Sequence, residues 1–212
     1  MNCCYQGNDC DAALAVLNVD DWLGVASPAG HLFDGLAWLL RAAQEWQTQF
    51  ELNLAVSGYS VQVYAMDSVL LRARTLFEFF TGTGKNYCHA HCFFNLTAQI
   101  PRPTNFTNLN NALHQSSLHL QNRSKTKQLR SHDGKTLKDL NLMPPDIARA
   151  VIDIWHNFET ELQNTGSACY SKAKLCRQQA EQDSREIVKS VALRSGAYSM
   201  LGGSPISLTT LF

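Results

Sequence analysis

The stretch Asp67-Ser68-Val69-Leu70-Leu71-Arg72-Ala73-Arg74-Thr75-Leu76-Phe77-Glu78-Phe79-Phe80 decides how this chain folds. Its apolar residues recur at three- and four-residue steps, the period of a helix with one face turned inward. Going back toward the N-terminus, Tyr59, Val63 and Met66 continue the stripe. Ala65, Val69 and Leu71 widen it, so this helix is expected to be the most buried of the set. Thr81-Gly82-Thr83-Gly84 then stops it, glycine being a common helix ending.

Two further helices with the same character flank this one. Ser27-Pro28 opens the first with a hydroxyl cap and a proline in the first turn. Leu32, Phe33, Leu36, Leu39, Leu40, Ala43, Trp46 and Phe50 form its apolar side. Pro144-Pro145-Asp146 opens the other, with Ile147, Val151, Ile154, Trp155, Phe158 and Leu162 at helical spacing before Gly166 interrupts it. Between them, residues 81–107 read as a long loop containing Pro101 and Pro103, functional or disordered, or else hiding a short element. A helix is expected from about Asn108 to Lys127, and a polar connection holds the Asp133-Gly134 turn. From Ala168 to Arg194 a mostly polar helix offers Leu175, Ile187, Val188 and Val191, and the Ser-, Gly- and Thr-rich remainder reads as a loose tail. No alternating strand pattern persists. The fold class is therefore all-α: an antiparallel bundle of four to five helices with a long central loop, a polar C-terminal helix and a tail. Residues 1–26 form an N-terminal segment of uncertain structure, 27–166 the bundle, and 167–212 the polar helix and tail.

Composition narrows the function classes. The chain has 212 residues, and its 18 basic side chains balance 18 acidic ones. That balance excludes a uniformly cationic nucleic-acid coat but allows a local patch. Arg123, Lys125, Lys127, Arg130, Lys135 and Lys138 make such a patch, with Asp133 the single acid among them. No run reaches the ~18 apolar residues that span a bilayer, and the N-terminus lacks a signal-peptide pattern. Seven cysteines, an odd number, read as reduced thiols of a cytoplasmic protein. On that reading the sequons at Asn95, Asn105 and Asn122 carry no weight.

Three groups of residues carry chemistry. Cys88-His89-Ala90-His91-Cys92 has the ligand types of a zinc site, to which Cys3, Cys4 or Cys10 could add. Its spacing is wrong for the usual motifs, and buried thiols beside the bundle are the plainer reading, so no metal or cofactor is expected. Thr81-Gly82-Thr83-Gly84-Lys85 lacks the strand and spacing of a phosphate-cradling loop. Cys169 and Cys176 share one helix face as core or seam positions. Arg74 and Glu78, four apart inside an apolar run, must form an ion pair or face a polar cleft, since an unpaired buried arginine is prohibitive.

The 67–80 stretch also resembles the helical segment Ser-Phe-Leu-x-His-Ala-Arg-x-Leu-x-Asp-Phe-Phe of HEPN-like bacterial proteins. Ser68, Leu70, Ala73, Arg74, Leu76, Phe79 and Phe80 match, Glu78 stands for the acid, and Arg72 replaces the usual histidine. His119-Leu120-Gln121-Asn122-Arg123 looks like a divergent form of the family's later histidine-arginine segment, and the resemblance spans roughly residues 32–162. It implies a helical bundle that dimerises and binds RNA, in a toxin, defence or regulatory system. Arg74, His119 and Arg123 would be its catalytic candidates; Arg72, Glu78, Lys125, Lys127 and Arg130 would contact the substrate. Active HEPN ribonucleases use Arg-x(4–6)-His, which this chain does not present, so the catalytic signature is incomplete. A non-enzymatic helical subunit that pairs with itself or a partner protein is the alternative.

Overall fold

The computed structural model describes residues 28–51, 58–82, 89–94, 96–102, 107, 109, 110, 113, 143–199 and 208–212. These form an all-α bundle with no strand among the described residues. Its helices are α1 (Pro28–Glu51), α2 (Gly58–Thr81), the single turn α3 (Ala90–Phe93), α4 (Pro144–Asn164) and α5 (Tyr170–Ser199). Among the described residues no helix is long and apolar enough to cross a membrane.

The core follows the helical period. Leu36, Leu39, Leu40 and Ala43 of α1 meet Val69, Leu70, Ala73, Leu76, Phe77 and Phe80 of α2, all buried. From α4 come Ile147, Val151, Ile154, Trp155, Phe158 and Leu162. The Trp155 ring lies 5.5 Å from Phe33, near the start of α1, and 5.6 Å from Phe80, near the end of α2. Those two helices therefore run antiparallel. Edge-to-face and tilted contacts of this kind contribute about 0.5–1.5 kcal/mol beyond the area they bury.

Local signals set the ends. The Asp146 carboxylate accepts the Met143 N–H at 3.3 Å in the first turn of α4, where negative charge suits the helix dipole. At the other end Gly166 takes φ 64°. The Gly166 N–H then reaches the Gln163 carbonyl and the Ser167 N–H that of Leu162, a Schellman ending in which L side chains are disfavoured.

One alternative for the 81–107 segment holds: it contains a short element, α3, and buries Phe94, Leu96 and Ile100 against the core. Several other expectations are corrected. Val63 does not join the buried α2 stripe and Leu71 does not widen it, because α1 and α4 cover only one side of that helix. Phe50 is exposed in the last turn of α1, stacked on Trp46. In α5 the seam is made by Ala173, Cys176, Ala180 and Ser184, while Leu175 is 51% exposed. Small side chains let the helices approach closely, so the apolar size that marked Leu175 was the wrong guide. Of the expected 108–127 helix, Leu109, Asn110 and Leu113 are helical, and the rest lies outside the described residues.

The tail differs too. Helix α5 continues to Ser199, and residues 208–212 are held along the seam of α1 and α5. The fully buried Gln44 donates Nε2 to the Thr209 carbonyl and accepts the Leu211 N–H at Oε1, both at 2.9 Å. Glu51 accepts the Thr209 N–H at 2.8 Å, and Arg185 donates to the Phe212 main-chain oxygen at 2.6 Å. Burial alone would raise the Glu51 pKa. Hydrogen bonds from the Thr209 hydroxyl and N–H and from Gln47 outweigh it, leaving the carboxyl below its ordinary 4.5.

Two truncations check this core. Leu36→Ala should destabilise by about 2–5 kcal/mol, whereas Leu175→Ala should stay within about 0.5 kcal/mol of the parent in urea unfolding. Equal losses would contradict the α5 register.

Candidate functional site

The second half of α2 carries the expected ion pair. Arg74 Nε lies 2.9 Å from Glu78 Oε1, one turn along the same helix. At a largely hydrated carboxylate such a pair contributes about 0.3–0.5 kcal/mol. Arg72 is half-buried, two residues earlier. His119, Arg123, Lys125, Lys127 and Arg130 lie outside the described residues, so of the sequence-derived candidates Arg74 and Glu78 are the two brought together.

A different histidine meets this end of α2. His89 is buried, with Nδ1 3.2 Å from the Glu78 main-chain oxygen. The same oxygen accepts the Gly82 N–H, while Arg102 donates to the Thr81 carbonyl at 3.1 Å. The last carbonyls of a helix lack intrahelical partners and carry partial negative charge, which cationic or N–H-bearing groups satisfy. Gly82 is required here for space, not for backbone twist. A Cβ on it would fall 2.4 Å from His89 Cε1 and 2.3 Å from the Glu78 oxygen.

His91 stacks on His89 with ring centroids 6.0 Å apart and planes within 6°. Burial first, then the neighbouring His89, holds the His91 pKa below its ordinary 6.5. Cys88 and the Cys92 side chain lie outside what the structure describes. Among the described residues no group of three or more histidines, cysteines or acids is placed to hold a metal ion. The cysteines of α5 and the turn before it are poor nucleophiles. Burial raises Cys169, and raises Cys176 to about 11, so both thiols stay protonated at neutral pH.

Sequence reading missed a buried charge network between α4 and α5. Arg177 Nε lies 2.8 Å from Glu159 Oε1, and its Nη1 lies 2.8 Å from Glu181 Oε1. The Arg177 and Glu159 side chains are only 11% and 8% exposed. Burial opposes the charge on Arg177, but the hydrogen bonds it donates to Glu159 and Glu181 prevail and raise its pKa. The available signal was Glu159 itself, an acid four residues after Trp155 and so on the buried side of α4. Near the same end, Glu161 accepts the Thr97 hydroxyl and the Ala98 N–H, tying the loop before Ile100 to α4. These groups join neighbouring elements, Arg177 and Glu159 across α4 and α5, and Glu161 with the 97–98 segment.

Two measurements test these assignments. Arg177→Ala strips Glu159, in a nearly dry setting, of its 2.8 Å partner, leaving His156 at 3.9 Å, and should cost about 3 kcal/mol by chemical denaturation. For His91 the unfolded chain binds its proton more readily, so stability should be full above pH 6.5 and decline as pH falls below it. That decline, followed by melting temperature against pH, should shrink in His91→Ala.

No protein-family model, curated protein or solved structure matches this chain.

Proposed function

We propose that the chain is a non-enzymatic helical interaction subunit that pairs with a second copy through the outer face of α2. One observation carries this reading. Val61, Tyr64, Ser68, Leu71 and Thr75 recur at three- and four-residue steps along α2 and so share a face. Tyr64 is 72% and Leu71 55% exposed. At 100° per residue, Arg72 borders this uncharged stripe on one side and Asp67 and Glu78 on the other. An apolar centre inside a charged rim is the usual composition of a protein contact surface. The HEPN resemblance implies a dimer, and a two-fold axis would bring the same stripe from both copies together.

RNA binding is the second reading, favoured by the braced guanidinium of Arg74. Glu78 holds its Nε edge and so fixes the plane, the property that suits arginine to phosphate. Arg72, two residues away and so on the other side of the α2 stripe, would reach a separate phosphate, with His119, Arg123, Lys125, Lys127 and Arg130 supplying the remaining contacts. This reading keeps the chain cytoplasmic, in a toxin, defence or regulatory setting.

Light scattering across a concentration series tests the first reading. The parent should pass from monomer to dimer, and Leu71→Glu should weaken pairing at least tenfold, about 1.4 kcal/mol, with an unchanged melting temperature. A parent that stays monomeric throughout overturns it. Labelled single-stranded RNA tests the second. Affinity that falls with salt and is lost in Arg72→Ala and Arg74→Ala supports it, and indifference to both substitutions rejects it.

A further inference from the structure

Gln44 reads main chain rather than side chain. Its amide takes the carbonyl of Thr209 and the N–H of Leu211, residues two apart, which is how an adjacent extended strand would engage them. Glu51 takes the Thr209 N–H and Arg185 the Phe212 oxygen, so four polar contacts fall on the backbone of 209–212. Side-chain specificity comes from Leu211 and Phe212, which pack against the core cluster, and from the Thr209 hydroxyl, which Glu51 also accepts. This separation of backbone capture from apolar anchoring is the mark of a peptide-docking groove.

With residues 208–212 in place Gln44 has no exposed surface, and the Thr48 hydroxyl, 3.3 Å from Nε2, is a further partner from within its own helix. Leu211 and Phe212 pack beside it, so release of the segment would return the amide to water and expose apolar surface of the core cluster.

We propose that the α1–α5 seam is a peptide-docking groove whose resident is residues 209–212 of its own chain and whose second occupant is the same segment of another copy. Any copy carries the matching sequence, so complementarity is assured. The resident segment competes at the high effective concentration of a tethered ligand, which makes exchange depend on its release. This site is independent of the α2 stripe and shares no residue with it.

The test uses the full chain and a fluorescent peptide with the sequence of residues 206–212, Ile-Ser-Leu-Thr-Thr-Leu-Phe. In Leu211→Ser/Phe212→Ser the resident loses its anchors and the groove is vacated. Anisotropy should show the peptide binding this variant at least tenfold more tightly than the parent. Adding Gln44→Ala to the vacated variant should abolish the gain, as should a peptide N-methylated at the position of Leu211, which lacks the N–H that Gln44 accepts. Leu71→Glu should leave it unchanged, so failure here and failure of the dimer are read separately. A vacated variant with native circular dichroism that binds no peptide overturns the proposal. Equal binding of the methylated and unmethylated peptides does the same. Should Gln44→Ala not fold, Glu51→Gln takes its place. It removes the carboxylate charge at Thr209 without opening a cavity and should weaken the peptide severalfold, and an unchanged affinity counts against the groove.

Discussion

Trp155 has no exposed surface, and four helices converge on it. Its ring meets Phe33 from α1, Phe80 from α2 and Phe158 from its own helix, while its indole N–H donates to the Ala173 carbonyl at the start of α5. An indole is apolar over most of its surface but must find an acceptor when buried. That requirement fixes where α5 sits relative to α4. Burial of the ring then fixes the antiparallel pair α1 and α2 around it. The Phe94 contact with Phe158 at 4.9 Å draws the α3 segment onto the same cluster.

Charge plays a different part at two places in the molecule. Between α4 and α5, Glu159, Arg177 and Glu181 are desolvated together, so the network contributes alignment more than net stability. At the end of α2, His89 meets the Glu78 oxygen beside the Gly82 N–H, and Arg102 donates to the Thr81 carbonyl. Both arrangements resolve a cost of burial, and in both the group supplied comes from a neighbouring element. The bundle is thereby stitched at points where its apolar core ends.

Much of the architecture was legible in the sequence because burial follows period. The stripes of α1, α2 and α4 could be read directly, since large apolar residues at 3.6-residue spacing have one stable orientation. Helix α5 was legible as a helix but not in its register, because its seam is Ala173, Cys176, Ala180 and Ser184 and its largest apolar residue, Leu175, faces out. The Arg74–Glu78 pair was foreseen from spacing within one helix. His89 against Glu78, and Arg177 against Glu159, join residues from different elements, and no local pattern announces such a meeting. The same holds for Gln44, whose partners at 209 and 211 lie more than 160 positions away.

Gly82 and Gly166 each follow the end of a helix, yet they exclude side chains for opposite reasons. At Gly166 a Cβ would have nothing within 4 Å, and the obstacle is the handedness of a backbone at φ +64°. Asparagine, which tolerates that conformation, is the natural understudy there. At Gly82 the backbone is permissive and the space is already taken by an imidazole and a carbonyl. One position thus asks about chirality and the other about volume, and libraries randomised at both should return different survivors.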